Sequence, residues 1–246
     1  MNKKSIKTNG KPTIVLVHGA FADGSSWEGV IERLERQGYT VIAPANPLRG
    51  LTIDSAYVAS VVNQIDGPVL LVGHSYGGAV ITNSASETKN VKGLVFVAAF
   101  APDKGERLGD VENNSKDSIL NSALVQHRYP TGKNGEMATE FEINPALFRD
   151  AFAADVPEEQ TTIMAATQRP IAAAAFSDTS GVPAWRTIPS WAVVATGDKA
   201  AGSDVTRSMA KRAGAQVSEI DGSHVIMVSQ PQAVTDVIMK AAQAIV

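Results

Sequence analysis

One serine in this chain of 246 residues is placed where a weak hydroxyl can be made a nucleophile. Gly73-His74-Ser75-Tyr76-Gly77 follows a short continuous apolar run, 69–72, and precedes Ala79-Val80-Ile81, where apolar residues resume at helical spacing. Gly-x-Ser-x-Gly between a strand and a helix describes a tight turn that holds the serine at positive φ with its Oγ clear of the sheet. The helix opening at 76–78 adds free N–H groups and the positive end of its dipole, both suited to a developing oxyanion. The bland alternative is a structural Gly/Ser turn; the order strand, turn, helix favours the nucleophile.

A serine hydroxyl needs a positioned base, usually histidine. The chain has four histidines. His18 and His74 are flanked by glycine-rich turns and read as local hydrogen-bonding residues, and His127 lies in a presumed insertion. His224, in Asp221-Gly222-Ser223-His224 after the last predicted strand, opens at the same sheet edge as Ser75 and is the candidate base. A carboxylate must then fix its tautomer. Asp198, directly after the strand 191–196, is favoured; Asp103, after a strand ending at Phe100, remains the alternative. Both keep the order serine, acid, histidine. Two donors for the tetrahedral oxygen are read at the Tyr76 N–H and, in the loop after the first strand, at the Ala20 N–H.

The elements that must position these residues alternate. Strands are predicted at 13–17, 39–43, 69–72, 91–100, 191–196 and 216–220, with helices at 27–34, 53–62, after Ser75, at 204–212 and at 231–245. This is an α/β chain with a mostly parallel six-stranded sheet covered on both faces. Residues 102–187 interrupt the rhythm with helical fragments at 145–154 and 158–167, and no core-type strand. They read as a helical cap insertion in a core made of 1–101 and 188–246, placed at the carboxyl ends of the strands where open α/β sheets bind ligands.

Composition sets bounds. With no cysteine, disulfides, thiol catalysis and thiolate metal sites are excluded. A net charge of −3 gives no reason to expect nucleic acid. Lys3, Lys4, Lys7 and Lys11 read as a solvated tail. No run is apolar enough to span a bilayer, and the basic start leads into polar residues rather than a signal-type stretch; the expected location is cytoplasmic. No metal-ligand cluster or dinucleotide fingerprint is visible, so no metal and no cofactor are expected.

Together the segments VLVHGAFADGSSW, VLLVGHSYGGAVI, VFVAAFAPDKGE, TQRPIAAAAFSD, PSWAVVATGDK and DGSHVIMVSQPQAV resemble the α/β-hydrolase superfamily, in the small branch of bacterial esterases related to plant methylesterases and hydroxynitrile lyases. The resemblance covers almost the whole chain. It implies the α/β-hydrolase fold, with Ser75 as nucleophile, His224 as base, Asp198 as acid, and Ala20 and Tyr76 as oxyanion amides. Hydroxynitrile lyases carry lysine after the catalytic histidine, whereas Val225 stands here, which argues against cyanohydrin cleavage. Relatives often continue from the acid into an Ile-Pro pair; this chain has Ala200-Ala201-Gly202. Tyr76 replaces the methionine frequent in cofactor-free perhydrolases.

The implied activity is serine-dependent hydrolysis of a small, neutral, mainly apolar carboxylic ester through an acyl-enzyme. Phe21, Tyr76, Phe148, Phe152 and Trp185 are the expected pocket residues; Trp27 is as well explained by core packing. Arg128, Arg149 and Arg169 are isolated and read as surface residues. The rival readings are a hydrolase-fold ligand receptor with vestigial turnover, and a perhydrolase or C–C hydrolase using the same triad.

Overall fold

A computed structural model describes residues 10–132 and 134–246. Lys3, Lys4 and Lys7 lie outside these residues. Lys11 is not a free tail residue: its Nζ donates to Gln37 O at 2.6 Å and stands 4.7 Å from the Tyr39 ring centroid.

Among the described residues six strands form one parallel sheet in the order β2-β1-β3-β4-β8-β9. They are β1 (Thr13–Val17), β2 (Val41–Ile42), β3 (Val69–His74), β4 (Val91–Val97), β8 (Ser190–Ala195) and β9 (Gln216–Ile220). Every residue of β1, β3 and β8 is buried, which is why these strands read as unbroken apolar runs instead of alternating ones. Helices α1 (Glu28–Arg36), α2 (Leu51–Val62), α3 (Tyr76–Ser84), α9 (Ser203–Arg212) and α11 (Pro231–Ala244) connect or flank them. Helix α11 buries Val234, Val237, Ile238 and Ala241 along one stripe, as its 3.6-residue period requires.

The chain winds from β1 outward to β2, then returns to place β3 on the other side of β1. That reversal opens a crevice beyond the carboxyl ends of β1 and β3. Ser75 and Ala20 both leave the sheet there.

Between β4 and β8 the chain adds α4 (Leu108–Asn113), α5 (Leu120–Ala123), α6 (Pro145–Phe152), α7 (Glu158–Thr167) and α8 (Ala174–Ser177). It also carries a second, antiparallel sheet of β5 (Leu124–Pro130), β6 (Met137–Ile143) and β7 (Ile171–Ala172), which the description of this segment as helical does not include. The hairpin β5–β6 is largely exposed or half-buried. Its residues therefore mix charge and apolar character, unlike the continuous apolar runs of the main sheet. The predicted strand at 91–100 ends at Val97, because Ala98 turns to φ 44°.

Candidate active site

Strand β3 delivers the chain to Ser75 at φ 53°, ψ −122°, in the left-handed half of the map that a non-glycine residue rarely enters. Backbone bonds on both sides hold it. Ser75 N–H donates to Val97 O at 3.2 Å, and Ser75 O accepts from Gly78 N at 3.0 Å and Phe100 N at 3.2 Å. The surrounding glycines answer to close backbone approach. A Cβ at Gly77 would press on the Val17 carbonyl oxygen, one at Gly78 on the Phe100 carbonyl oxygen, and one at Gly19 would stand 2.7 Å from Ser75 Cβ. Tyr76 is the first residue of α3, so its N–H has no acceptor one turn back.

Beyond β8 and β9, the acid and base loops are tied together. Thr196 N–H donates to Ile220 O at 2.9 Å and Gly197 N–H to Gly222 O at 3.0 Å. His224 Nδ1–H donates to Asp198 Oδ2 at 2.9 Å, with both side chains at most 1% exposed. The other carboxylate oxygen accepts from the Ala200 and Ala201 amides at 2.9 and 3.0 Å. The stretch that departs from the usual Ile-Pro continuation thus supplies the cradle for the carboxylate. Asp103 is not part of this cluster: it pairs with Arg186 at 2.6 Å near the surface.

The other two core histidines are brackets for this arrangement. His74 Nε2–H donates to His224 O at 3.0 Å, and its ring lies 4.6 Å, centroid to centroid, from that of His224. Burial, followed by the neighbouring His224, holds its pKa well below the ordinary imidazole value. His18 Nδ1–H donates to Gly19 O at 2.9 Å while its Nε2 accepts from Asn46 N at 3.0 Å. Burial lowers its pKa to about 4, so a neutral ring anchors the loop carrying Ala20. Arg169 completes that anchor, donating to Asn46 O at 3.1 Å and accepting at its own carbonyl from Phe21 N at 3.2 Å. It is a brace of the loop, not the surface residue expected from sequence. His127 stands 3.4 Å from Glu142 on the hairpin.

Ala20, Phe21, Ser75, Tyr76 and His224 line one narrow, tightly closed cavity, together with Phe100, Leu108, Glu112, Leu120, Phe152, Phe176, Ala200 and Ala201. Two expected pocket residues do not line it. Phe148 is buried behind Phe152, with ring centroids 5.1 Å apart. Trp185 donates its indole N–H to Pro102 O at 3.2 Å and lies under Arg186. Trp27 is fully buried, edge-on to His74 at 6.3 Å. Tyr76 reaches the wall, but its O–H is committed to Asp54 Oδ2 at 2.7 Å; burial raises the pKa of both groups.

Glu112 was not singled out by sequence reading. It is 4% exposed, its Oε1 has no hydrogen-bond partner, and burial lifts its pKa to about 7. The available signal was its spacing: Leu108 and Glu112, one helical turn apart, are the buried residues of α4. Among the described residues no group of three or more His, Cys, Asp or Glu side chains is gathered as a metal site, and no helix is long and apolar enough to cross a membrane.

Residues 14–237 match the family model of the alpha/beta hydrolase family. The chain belongs to this family. It is 32% identical over 108 residues to the carbendazim hydrolyzing esterase of Nocardioides sp. (strain SG-4G), a stretch covering 38% of this chain and 44% of that protein. It is 34% identical over 100 residues to the pyrethroid hydrolase of Sphingobium wenxiniae (strain DSM 21828 / CGMCC 1.7748 / JZ-1), covering 35% of each. The matched stretch spans less than half the length of either relative. Among solved structures, a pyrethroid hydrolase from Sphingobium faniae JZ-2 superposes on this α/β-hydrolase with a TM-score of 0.76 at 21% identity, covering 95% of this chain and 98% of that one. Polyneuridine aldehyde esterase gives 0.78 at 20% identity, covering 94% and 98%. At such identities the likeness is one of fold.

Proposed function

We propose that this α/β-hydrolase is a serine-dependent carboxylic ester hydrolase working through an acyl-enzyme. The observation that carries the reading is the buried Asp198–His224 pair, opening on the same cavity as a serine held at φ 53°. Asp198, fixed on one oxygen by two amides, orients His224 so that Nδ1 is the protonated nitrogen and Nε2 is free to act as base. Ser75 Oγ attacks the ester carbonyl carbon as its proton passes to His224 Nε2. The carbonyl oxygen takes up the electron pair and is stabilised by the Ala20 and Tyr76 amides. Collapse expels the alcohol, protonated by His224; a water molecule activated by the same nitrogen then releases the acid and restores Ser75.

Residues 102–187 act in this reading as a cap over the core formed by 1–101 and 188–246. Phe21 and Phe152, with Tyr76, shape the substrate cavity, and its apolar wall favours a small, largely apolar ester. The names of the curated relatives, an esterase and a pyrethroid hydrolase, point the same way. We place the protein in the cytoplasm, in keeping with a chain that has no cysteine.

The test is the intact mass after exposure to a fluorophosphonate, run beside Ser75→Ala. One adduct on the wild type alone, and multiple turnovers of p-nitrophenyl esters lost in the variant, are expected. An unmodified, folded wild type would sink the nucleophile; labelling with at most one turnover would favour the receptor reading instead.

A further inference from the structure

The cavity wall that faces Ser75 is not uniformly apolar. Phe100, Leu108, Leu120, Phe176 and Ala200 enclose it, yet Glu112 from α4 shares that wall with one carboxyl oxygen bonded to nothing. A buried polar group left without a partner destabilises a fold, typically by about 1–3 kcal/mol, so an orphan on a residue that lines the cavity beside Ser75 has the character of a binding group. Of the other polar groups there, Tyr76 O–H is engaged with Asp54 and His224 Nδ1–H with Asp198, while Ser75 Oγ and His224 Nε2 are reserved for the reaction. Arg107, the residue before the helix, and Asp110 on it are exposed. The helix is also fixed in place. The loop after it is clamped to the start of α9 by Ser115 Oγ and Lys116 N–H donating to Asp204, at 2.7 and 2.8 Å, and by Ser203 Oγ and Asp204 N–H donating to Asp117, at 2.6 and 3.0 Å.

We propose that Glu112 is a specificity-determining residue whose neutral carboxyl donates a hydrogen bond to an uncharged polar group, a ketone or similar carbonyl, on the acyl part of the ester. This deepens the hydrolase reading and rests on it. The acyl part is assigned to this cavity because it stays bound to Ser75 while the alcohol must depart. Phe21 also lines a second groove, bounded by Asp23, Glu28, Ile163 and Met164, and the alcohol part is assigned to that side. The pKa near 7 agrees with a carboxyl that keeps its proton in slightly acidic solution.

The experiment compares kcat/KM at pH 6 for p-nitrophenyl 4-oxohexanoate and 5-oxohexanoate with that for p-nitrophenyl hexanoate, in wild type, Glu112→Gln and Glu112→Met. Glutamine keeps a donor of the same shape, and methionine keeps the volume without one. The wild type is expected to prefer one oxo ester; Glu112→Gln should keep that preference, and Glu112→Met should lower it by about tenfold or more. An oxo preference that is absent, or equal in wild type and Glu112→Met, overturns the proposal. So does a preference for the 6-aminohexanoyl ester, which would make Glu112 a carboxylate for cations. Binding of methyl oxohexanoates and methyl hexanoate to Ser75→Ala protein, with and without Glu112→Met, is measured by calorimetry. Selective oxo binding lost with Glu112→Met upholds the cavity assignment even if no ester turns over, in which case only the hydrolase reading falls; equal binding in both backgrounds refutes the assignment independently of turnover.

Discussion

At the scale of single residues, the two oxygens of Asp198 do different work. Oδ1 accepts from two backbone amides and Oδ2 from His224 Nδ1–H. In Asp198→Asn the amide oxygen is required by the two N–H donors, so the new NH₂ faces His224. That forces the ring to carry its proton on Nε2, the nitrogen that in the proposed mechanism accepts one from Ser75. The expected result is a fall in kcat of about 10⁴ with KM little changed, the size seen where the tautomer alone is wrong; a loss under tenfold in p-nitrophenyl ester hydrolysis would rule out Asp198 as the orienting acid. Ser75, Asp198 and His224 were legible because each follows a strand that the local apolar pattern already marks, so sequence position predicts which sheet edge they reach. Glu112 and Arg169 were not. Their settings come from what long-range packing does to an ordinary charged side chain, leaving one without a partner and stretching the other 123 positions along the chain to Asn46.

At the scale of elements, the elbow works only if β3, α3 and the end of β1 come closer than side chains permit. Gly77→Ala tests this directly, since the added methyl would meet the Val17 carbonyl and, at 3.0 Å, that of His18. Backbone cannot move aside as a flexible side chain can. We expect a loss of about 3 kcal/mol or more, read from the urea midpoint at unchanged m-value, together with loss of activity. Gly132→Ala is the contrasting case, because φ there is +81° and, among the described residues, nothing lies within 4 Å; it carries backbone strain without close approach, and its cost should stay near 1 kcal/mol. Gly77 itself is helical and has no positive φ, so a cost below about 1 kcal/mol there would remove close approach as the reason for its glycine. The same contrast explains what was readable at this scale. The strands of the main sheet are buried on both faces and announce themselves as apolar runs, whereas β5 and β6 pair on an exposed surface, where Glu140 and Glu142 alternate with Phe141 and Ile143. A two-residue period with charges on it is also what a polar connection looks like, so the hairpin had no distinct signature.

For the whole molecule, the buried titratable groups pull stability in opposite directions with pH. His18 and His74 are held neutral by burial, His18 with a pKa of about 4 against an ordinary 6.5. As pH falls from 6.5 toward 4 the unfolded chain takes up protons at both rings while the native state refuses them, so this contribution is present above 6.5 and lost on acidification. Glu112 has the reverse sign. Its pKa rises from 4.5 to about 7, so between those values the native state keeps a proton that the unfolded chain releases, and stability declines as pH increases through that window. Asp54, whose pKa burial also raises, acts with Glu112 at the acid end of this range; above it the two histidines outweigh Glu112 and stability rises toward about pH 6.5, followed by a slight decline to about pH 7 as Glu112 alone continues to titrate. Glu112→Gln removes the opposing slope while leaving both histidines in place. Relative to wild type it should gain about 3 kcal/mol between pH 4 and pH 8, the free energy that corresponds to the difference between 4.5 and 7. Urea unfolding of both proteins at pH 4, 6 and 8 measures this. A constant difference across the series would mean that Glu112 titrates in the folded protein as it does in the unfolded chain, and the cavity beside Ser75 would then have to hold water around a carboxylate.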